Sequence, residues 1–355
     1  MRILFINSSL TSGGSERVMT LLANKFSDKG IDTTMSLVRE LGPDVYRVSE
    51  KVKLVRYKYG TKNKVVIAIK RFIKLRQQIK NGKFDAVIVF MNDLNLITLM
   101  AGANTGTPIY ISERADPSKR LDTKIYKVLE KHYYPKCTGM IFQTPDVRDQ
   151  FTDEIKKKSK VIPNPVSENL PEPHIGERKK RIVAAGRFAD QKNFSMLIKA
   201  FSEFHKDFTD YYLYIYGKGP KEKELKELAL NLGIGDSVFF PGFVDNLIDE
   251  IKDASMYVSS SNYEGISNSM IEAMAMGLPV ICTDCPVGGA RMMIKSGTNG
   301  FLIPVDNEKV LSETLKLIGN DPNLGERLGN NAIKVRVTHS VDKIADMWIE
   351  MVNKK

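Results

Sequence analysis

Two glutamates, Glu264 and Glu272, stand eight positions apart in the segment with the clearest chemical meaning, residues 264–277. Glu264 lies in a loop after an apolar strand pattern, and a helix pattern begins around Ser267. The free N–H groups and the dipole at a helix N-terminus favour a phosphate group. A carboxylate inside that helix, such as Glu272, can accept hydrogen bonds from two vicinal hydroxyls, as ribose presents. The segment therefore predicts a ligand that carries phosphate and ribose.

Two cations, Arg187 and Lys192, follow another strand pattern within residues 186–193. They would lie at the carboxyl end of that strand, where parallel sheets bind ligands. A guanidinium together with an ammonium is the pair that a diphosphate leaving group requires. The alternative is a solvated loop that carries these cations by chance.

Two glycines, Gly13 and Gly14, follow the first strand pattern within residues 12–17 and precede a helix pattern. Glycine lets a backbone approach a ligand closely, and the helix adds free N–H groups. An ordinary strand-to-helix turn accounts for these glycines equally well. The chain has neither the G-x-G-x-x-G of a dinucleotide site nor the G-x-x-x-x-G-K-[ST] of a P-loop.

Short apolar strands alternate with amphipathic helix patterns along the chain, and this alternation predicts parallel sheets covered on both faces. Strands are expected at 3–6, 33–38, 86–90, 109–112 and 140–142, and then at 182–185, 212–216, 238–240, 256–258, 279–282 and 301–303. Helices are expected at 15–27, 65–80, 92–103 and 119–134, and then at 195–204, 221–232, 267–276, 310–317, 325–335 and 341–353.

Proline-rich residues 162–176 interrupt this alternation and predict an interdomain linker. We therefore predict an α/β protein with two Rossmann-like, doubly wound domains that face each other across a cleft. The first domain comprises residues 1–165 and the second 181–338, with a linker at 166–180. A C-terminal helix, 339–355, is expected to cross back to the first domain.

The Glu-x7-Glu segment continues from Glu272 as E-A-M-A-x-G-x-P-V-I. In this form it resembles retaining glycosyltransferases of family 4, whose fold is GT-B. Further motifs in the order of that family extend the resemblance over nearly the whole chain. They are the glycines at 13 and 14, Pro163-Asn164-Pro165, Gly186-Arg187 with Lys192-Asn193, and Gly217-x-Gly219.

The resemblance implies a role for each matching residue. Glu264 would hydrogen-bond the transferred sugar, while Arg187 and Lys192 would hold the donor diphosphate. The ribose would lie on Glu272 and the base near 242–244, and Gly14 would let the first domain approach the diphosphate and the acceptor. The implied binding residues are Gly13, Gly14, Gly186, Asn193, Gly242, Phe243, Val244, Gly265, Ile266, Ser267, Asn268 and Glu272.

One position departs from the family. Many members carry a histidine in the loop after the strand that matches 109–112, and here Arg114 takes that place. The candidate catalytic residues implied by the resemblance are therefore Glu264, Arg187, Lys192 and Arg114. It would contact the donor sugar or the acceptor only as a charged hydrogen-bond donor.

The implied reaction transfers a hexose or N-acetylhexosamine from a nucleotide-sugar, for which a UDP-sugar is the best match, with retention of configuration. The acceptor would be an oligosaccharide or a lipid-linked glycan. The implied pathway is bacterial surface-polysaccharide biosynthesis, of capsule, lipopolysaccharide or exopolysaccharide. No two aspartates stand two positions apart, so the Asp-x-Asp by which GT-A enzymes hold a divalent cation is absent. We therefore expect no metal and no cofactor.

The net charge of +11 is unevenly spread, because residues 1–170 hold 30 Lys and Arg against 17 Asp and Glu, a net +13. Residues 62–80 predict a helix with a wide cationic face, and Val66, Ile69, Ile73 and Ile79 lie near its opposite side. Such a helix can lie on anionic lipid, although a packed helix with solvated charges fits the same pattern. We expect a peripheral protein on the cytoplasmic face of the plasma membrane.

Composition excludes several other classes. No apolar run reaches the roughly 18 residues of a transmembrane helix, and three cysteines are too few for a disulfide framework. The basic charge comes without an RRM-type aromatic motif or zinc-finger spacing, so nucleic acid is not an expected partner. Two further functions stay open: a nucleotide-sugar epimerase of the same fold, and a non-catalytic subunit that binds a sugar nucleotide.

Overall fold

The computed structural model describes residues 1–11, 13–40, 42–114, 116–119, 123–168 and 170–353. Contacts divide the chain into two compact units, called here unit 1 (Met1–Pro165 with Val341–Lys355) and unit 2 (Val166–Ser340). Unit 1 holds 33 Lys and Arg against 19 Asp and Glu, a net +14, whereas unit 2 holds 20 against 23, a net −3. The positive charge therefore belongs to unit 1. Residues 166–180 fall within unit 2.

Within the described residues, unit 1 is built on seven strands: β1 (Arg2–Asn7), β2 (Asp32–Leu37), β3 (Lys53–Arg56), β4 (Ala86–Phe90), β5 (Ile109–Glu113), β6 (Gly139–Phe142) and β7 (Ser159–Val161). They form one sheet in the order β3-β2-β1-β4-β5-β6-β7, and all neighbours are parallel. Its helices are α1 (Gly14–Asp28), α2 (Lys64–Asn81), α3 (Asn92–Gly102), α4 (Lys124–Tyr133), α5 (Pro145–Arg148), α6 (Asp153–Lys157) and the C-terminal α15 (Val341–Asn353).

The helices of unit 1 cover both faces of its sheet. The chain passes from β1 to β2 through α1 in one direction, and onward to β4, β5 and β6 through α2, α3 and α4 in the other. Because such crossovers are right-handed, α1 and these three helices lie on opposite faces. The core on the α1 side contains Phe5, Phe26, Phe90 and the fully buried Trp348 of α15. The C-terminal helix thus completes the hydrophobic core of unit 1.

Unit 2 is built on six strands among the described residues: β8 (Lys179–Ala185), β9 (Tyr212–Tyr216), β10 (Val238–Gly242), β11 (Ala254–Ser259), β12 (Val280–Thr283) and β13 (Phe301–Ile303). They form a parallel sheet in the order β10-β9-β8-β11-β12-β13. Its helices are α7 (Phe194–His205), α8 (Glu222–Asn231), α9 (Leu247–Ile251), α10 (Asn268–Ala275), α11 (Gly289–Met293), α12 (Glu308–Asn320), α13 (Pro322–Ala332) and α14 (Val335–Thr338).

Each sheet has one point where the order of its strands reverses direction. In unit 1 that point lies between β1 and β4, and in unit 2 it lies between β8 and β11. The loops after such a pair of strands diverge to opposite faces and leave a crevice at their carboxyl ends, where α/β proteins bind ligands. The architecture therefore directs attention to the loops that follow β1, β8 and β11.

The predicted fold class is confirmed, since both units are doubly wound parallel α/β structures. The structure adds the edge strands β3 and β7 and the short helices α5, α6, α9, α11 and α14, whose brief patterns gave too little periodicity to be predicted. The helix predicted at 119–134 includes residues 120–122, which lie outside the described residues, and α4 begins at Lys124. The predicted C-terminal segment likewise includes residues 354 and 355, which are not described.

The aliphatic side chains of α2 do not share the single face that the sequence predicted. Its buried side chains are Leu75 and Ile79, whereas Val65, Ile69 and Ile73 are 68%, 55% and 46% exposed. The apolar residues are therefore split between two faces. Several cations of the helix donate to neighbouring main-chain carbonyls. Lys70 donates to that of Tyr59 (2.7 Å), and Lys74 donates to that of Lys58 (2.7 Å). Long cationic side chains can pack their stems against protein in this way while the ammonium stays near water.

Across the described ranges, no helix is long and apolar enough to cross a membrane.

Candidate functional site

The loops after β8 and β11 meet at the reversal point of unit 2 and are joined by hydrogen bonds. The main-chain N–H of Asn262 donates to the carbonyl of Gln191 (2.8 Å), and its side-chain amide donates to the carbonyl of Asp190 (2.8 Å). The Ser260 hydroxyl donates to the carbonyl of Lys192 (2.8 Å). These bonds turn two loops that are far apart in sequence into one continuous rim.

Three of the charged residues predicted for the site lie in this rim. The Lys192 ammonium and the Glu264 carboxylate form an ion pair with 2.5 Å between Nζ and Oε2, and their side chains are 13% and 22% exposed. The Ser261 hydroxyl lies 3.4 Å from the same carboxylate oxygen. Arg187 is exposed, and within the described part of the chain its guanidinium forms no recorded ion pair. One cation is thus engaged by a carboxylate, and the other faces solvent.

Helix α10 begins beside this rim. Ser267 is its N-cap, and the Ser267 hydroxyl accepts from the Met270 N–H at 3.5 Å. The first turn is held from below by the Tyr257 hydroxyl, 2.7 Å from that of Ser269. Burial raises the pKa of Tyr257, so this hydroxyl stays protonated. Glu272 follows one turn later and is 3% exposed. The helix N-terminus therefore lies beside Glu264, with Glu272 buried behind it.

Glycines allow the surrounding loops to approach the rim closely. A Cβ on Gly217 would lie 2.0 Å from the carbonyl oxygen of Gly186, and a Cβ on Gly219 would lie 2.4 Å from that of Phe188. The Gly217 N–H in turn donates to the carbonyl of Gly242 (2.8 Å). The loops after β8, β9 and β10 are therefore packed backbone to backbone. The residues predicted for the base follow Gly242, with Phe243 exposed and Val244 partly buried.

Gly289, at the start of α11, was missed by the reasoning from sequence. A Cβ at this position would lie 1.9 Å from the carbonyl oxygen of Gly265 and 2.8 Å from the nitrogen of Ile266. Any larger residue would push the loop that carries Glu264. The signal was present, because Gly288-Gly289 follows β12 as Gly13-Gly14 follows β1.

Asn193 has a supporting position in the structure. It adopts a left-handed conformation (φ 43°) as the N-cap of α7, and its side-chain oxygen accepts from the Met196 N–H at 3.3 Å. Its side-chain amide donates to Asn262 (3.0 Å). The side chain thus holds the rim loops together, with its polar atoms engaged by protein.

The glycines predicted in unit 1 lie at the N-terminus of α1, where Gly13 is the N-cap. Ser12, in the same predicted segment, lies outside the described residues. The Glu16 carboxylate folds back over this end: it accepts from the Ser8 hydroxyl at 2.7 Å, and it is so close to Gly13 that a Cβ there would lie 1.7 Å from Oε2. Glu16 is 8% exposed. The N-terminus of α1 is therefore covered by the carboxylate of Glu16, a residue of the same helix.

Arg114, predicted as catalytic, is largely enclosed at the carboxyl end of β5. Its guanidinium lies 4.0 Å from the centre of the Phe90 ring and donates to the Asn164 side chain at 2.8 Å. Asn164 also accepts from the Gln143 amide at 2.7 Å. Burial lowers the pKa of the Arg114 guanidinium to about 9, against the opposing effect of the Glu113 carboxylate. The structure thus places Arg114 in a buried polar cluster, and Asn164, predicted as part of a linker motif, anchors it.

Metal-binding clusters and cysteines are the other groups that could carry chemistry. No group of three or more His, Cys, Asp or Glu among the described residues could hold a metal ion. Cys282 and Cys285, which have the C-x-x-C spacing of some redox pairs, are free and buried. Burial raises the pKa of the Cys285 thiol to about 11, so neither its position nor its ionisation fits a redox pair.

The fold and these sites define a class, the glycosyltransferases of GT-B architecture. Residues 12–170 match the family model Glycosyltransferase Family 4, and residues 166–335 match Glycosyl transferases group 1. The chain is therefore a glycosyltransferase whose first half belongs to the Glycosyltransferase Family 4 group and whose second half belongs to the Glycosyl transferases group 1.

Similar proteins extend over the whole chain. A GalNAc-alpha-(1->4)-GalNAc-alpha-(1->3)-diNAcBac-PP-undecaprenol alpha-1,4-N-acetyl-D-galactosaminyltransferase of Campylobacter jejuni is 27% identical and covers 99% of this chain and 98% of its own. The structure of an S. aureus TarM mutant with fondaparinux, alpha-GlcNAc-glycerol and UDP is 15% identical, with a TM-score of 0.82 and coverage of 99% and 100%. Anabaena HepE with UDP and glucose is 17% identical, with a TM-score of 0.81 and complete coverage of both chains. The two structures show that the fold is shared.

Proposed function

We propose that this glycosyltransferase transfers a hexose or N-acetylhexosamine from a UDP-sugar to a glycan acceptor, oligosaccharide or lipid-linked, in the biosynthesis of bacterial surface polysaccharide. The observation that carries the proposal is the rim of unit 2, where Arg187, Lys192, Glu264 and the N-terminus of α10 come together. This grouping suits a diphosphate attached to a sugar. UDP in the structures of TarM and HepE supports uridine as the base. The undecaprenol-linked substrate in the name of the Campylobacter relative supports a lipid-linked acceptor.

In the proposed reaction the acceptor hydroxyl attacks the anomeric carbon as the bond from that carbon to the diphosphate oxygen breaks. The proton of the hydroxyl passes to the departing diphosphate, on the same face of the sugar, so the configuration is retained. Arg187, Lys192 and the N–H groups of Ile266, Ser267 and Asn268 stabilise the charge that develops on the leaving group. Glu264 orients the sugar through its hydroxyls, and Glu272 holds the ribose. In this reaction Arg187 and Lys192 neutralise the leaving diphosphate, which is the role that a divalent metal ion has in GT-A enzymes.

The test is a transfer assay with the purified chain, a panel of labelled UDP-hexoses and UDP-N-acetylhexosamines, and a bacterial membrane extract as the source of acceptor. Label moving into the lipid-extractable fraction, at the same rate with EDTA, supports the proposal. A free epimer of the donor would instead support an epimerase, and binding without turnover would support a non-catalytic subunit. NMR of the product decides the stereochemistry, since a β-product from an α-donor would contradict retention.

We also propose that unit 1 holds the enzyme on the anionic cytoplasmic face of the plasma membrane. Helix α2 carries six Lys and Arg and no Asp or Glu, and its outward side presents Val65, Ile69 and Ile73. Aliphatic side chains can enter the boundary of the acyl chains while neighbouring cations meet anionic headgroups, each contributing about 1 kcal/mol. A lipid-linked acceptor would be met at the same surface.

Sedimentation with vesicles tests this localisation. We expect binding to vesicles of phosphatidylglycerol and phosphatidylcholine at low salt, and loss of binding in high salt or with phosphatidylcholine alone. Replacing Lys64 and Lys80 by glutamate should weaken binding strongly. The matched control reverses Lys223 and Lys226 on α8 of unit 2, which are similarly exposed. Equal losses in both variants would contradict a specific role for α2.

A further inference from the structure

The ion pair between Lys192 and Glu264 joins two residues for which the proposed function requires different partners. Lys192 is to hold the donor diphosphate and Glu264 is to hold the sugar, yet here they bind each other at 2.5 Å. Both side chains are mostly shielded from water, at 13% and 22% exposure. Charge-assisted hydrogen bonds of this kind are about twice as strong as neutral ones. The diphosphate must therefore compete with a carboxylate of the protein for this ammonium.

The surroundings hold Lys192 in place for this contact. Its main-chain carbonyl is fixed by the Ser260 hydroxyl. Its stem lies against Gly186, where an added Cβ would be 2.6 Å from the Lys192 Cε. The ammonium can therefore change partners through its side chain without any movement of the rim.

Charge balance points the same way. Without a donor, Lys192 and Glu264 neutralise each other, and an unpaired ammonium enclosed in protein would be unfavourable. A diphosphate brings at least two negative charges next to the same groups. The carboxylate that it displaces from Lys192 then becomes available to accept hydrogen bonds from the sugar hydroxyls.

We propose that Glu264 is a placeholder anion that holds Lys192 in the donor-free enzyme and exchanges it for the diphosphate when the donor binds. The proposal rests on the proposed function of the same site and adds a cost that the protein imposes on nucleotide binding. It makes a prediction opposite to that for an ordinary binding residue: removing the charge of Glu264 should strengthen the binding of UDP. Because UDP lacks the transferred sugar, the substitution removes no proposed contact of Glu264 to this ligand.

The experiment is calorimetric titration with UDP and, independently of the base, with inorganic pyrophosphate. Glu264→Gln, which keeps the shape of the side chain, should bind both ligands about three- to tenfold more tightly than the unaltered chain, while turnover of the UDP-sugar falls. Glu222→Gln is the matched control, because Glu222 pairs with Lys226 at 2.7 Å on α8, and its substitution should leave both affinities unchanged. Should Glu264→Gln not fold, Glu264→Ala puts the same question.

A double substitution separates exchange from simple repulsion between the carboxylate and the ligand. In a Lys192→Gln background, Arg187 and the α10 N-terminus still bind the ligand, but no ammonium is left to exchange. The gain from Glu264→Gln should then disappear, whereas a gain that persists would show direct repulsion and overturn the proposal. Unchanged or weaker UDP binding by the single variant also overturns it while leaving the donor site intact. If the unaltered chain binds neither ligand, the donor site itself fails.

Discussion

The two units share one architecture but treat the charged groups at the carboxyl ends of their strands in opposite ways. In unit 1, Glu16 and Glu113 are 8% and 0% exposed, and Arg114 is stacked over Phe90. In unit 2, Arg187 faces solvent, and the side chains of the Lys192–Glu264 pair keep 13% and 22% of their surface exposed. At this edge, unit 1 engages its charges in contacts within the protein, whereas unit 2 leaves one cation, Arg187, facing solvent. The same fold therefore does not imply the same use of corresponding loops.

This comparison predicts that substitutions at the edge of unit 2 reduce activity, and that substitutions at the edge of unit 1 reduce stability. The largest effect is expected for Glu264→Ala, which should lower turnover by about 10²–10³-fold, because it removes a contact to the reacting sugar. A modest fall in the midpoint of thermal unfolding should accompany it, because the mostly shielded Lys192 ammonium loses its partner. Steady-state kinetics with a saturating UDP-sugar measures the effect, and Glu222→Ala serves as the control. Turnover equal to that of the unaltered chain would remove Glu264 from the site.

Glu272→Ala should act on binding more than on turnover. If its carboxylate accepts two hydrogen bonds from ribose, its loss should weaken UDP binding by about 10–100-fold, as expected for bonds to a charged group. Turnover at saturating donor should fall much less than in Glu264→Ala. Calorimetry and kinetics on the two variants side by side provide the check. The same loss pattern in both would show that the two glutamates do not have separate tasks.

Arg114→Met tests whether the charged groups at the edge of unit 1 stabilise the fold. We expect a loss of about 1–3 kcal/mol in the free energy of unfolding, since the hydrogen bond to Asn164 and the cation–π contact with Phe90 disappear. UDP affinity should stay within about twofold of that of the unaltered chain. Urea unfolding and UDP titration measure the two quantities. If stability is unchanged and turnover collapses, Arg114 takes the catalytic role that the sequence suggested.

The two units should differ least in the reactivity of their cysteines. Burial raises the pKa of Cys137 in unit 1 and of Cys285 in unit 2 alike, to about 11 from 9.0. As pH rises, the unfolded chain loses these protons first, so their contribution to stability is complete below pH 9 and is lost between about pH 9 and 11. Alkylation by iodoacetamide at pH 8 should be about 100-fold slower than for a free cysteine. Rapid alkylation of the native chain at either cysteine would contradict this.

The sequence predicted most of what depends on local pattern. The six strands described in unit 2 and the helix at 341–353 were predicted within a few residues, because their apolar runs and periodicities are clear. Arg187, Lys192 and Glu264 were assigned to one donor site through the family resemblance, and the structure joins the two loops that carry them by hydrogen bonds. What the sequence could not show were contacts between distant side chains. The Lys192–Glu264 pair and the enclosure of Arg114 by Phe90 and Asn164 depend on tertiary packing.

The packing of helix α2 was likewise not predictable from its sequence. Its charge pattern indicated a cationic side and an apolar side, but the helix packs only Leu75 and Ile79. Val65, Ile69 and Ile73 are exposed instead, while Lys70 and Lys74 reach carbonyls of the segment that precedes the helix. Periodicity gives the faces of a helix but does not say which one is turned toward the protein.

The position of α15 in unit 1 determines the order in which the two units can complete their folding during synthesis. The chain leaves unit 1 after Pro165 and comes back only at Val341, so unit 2 is an insertion within unit 1. A ribosome releases the chain from its N-terminus, and domains generally fold as units during synthesis. Unit 2 is complete once Ser340 has emerged, while unit 1 still lacks Trp348. On the nascent chain the half that begins first is therefore the half that finishes last.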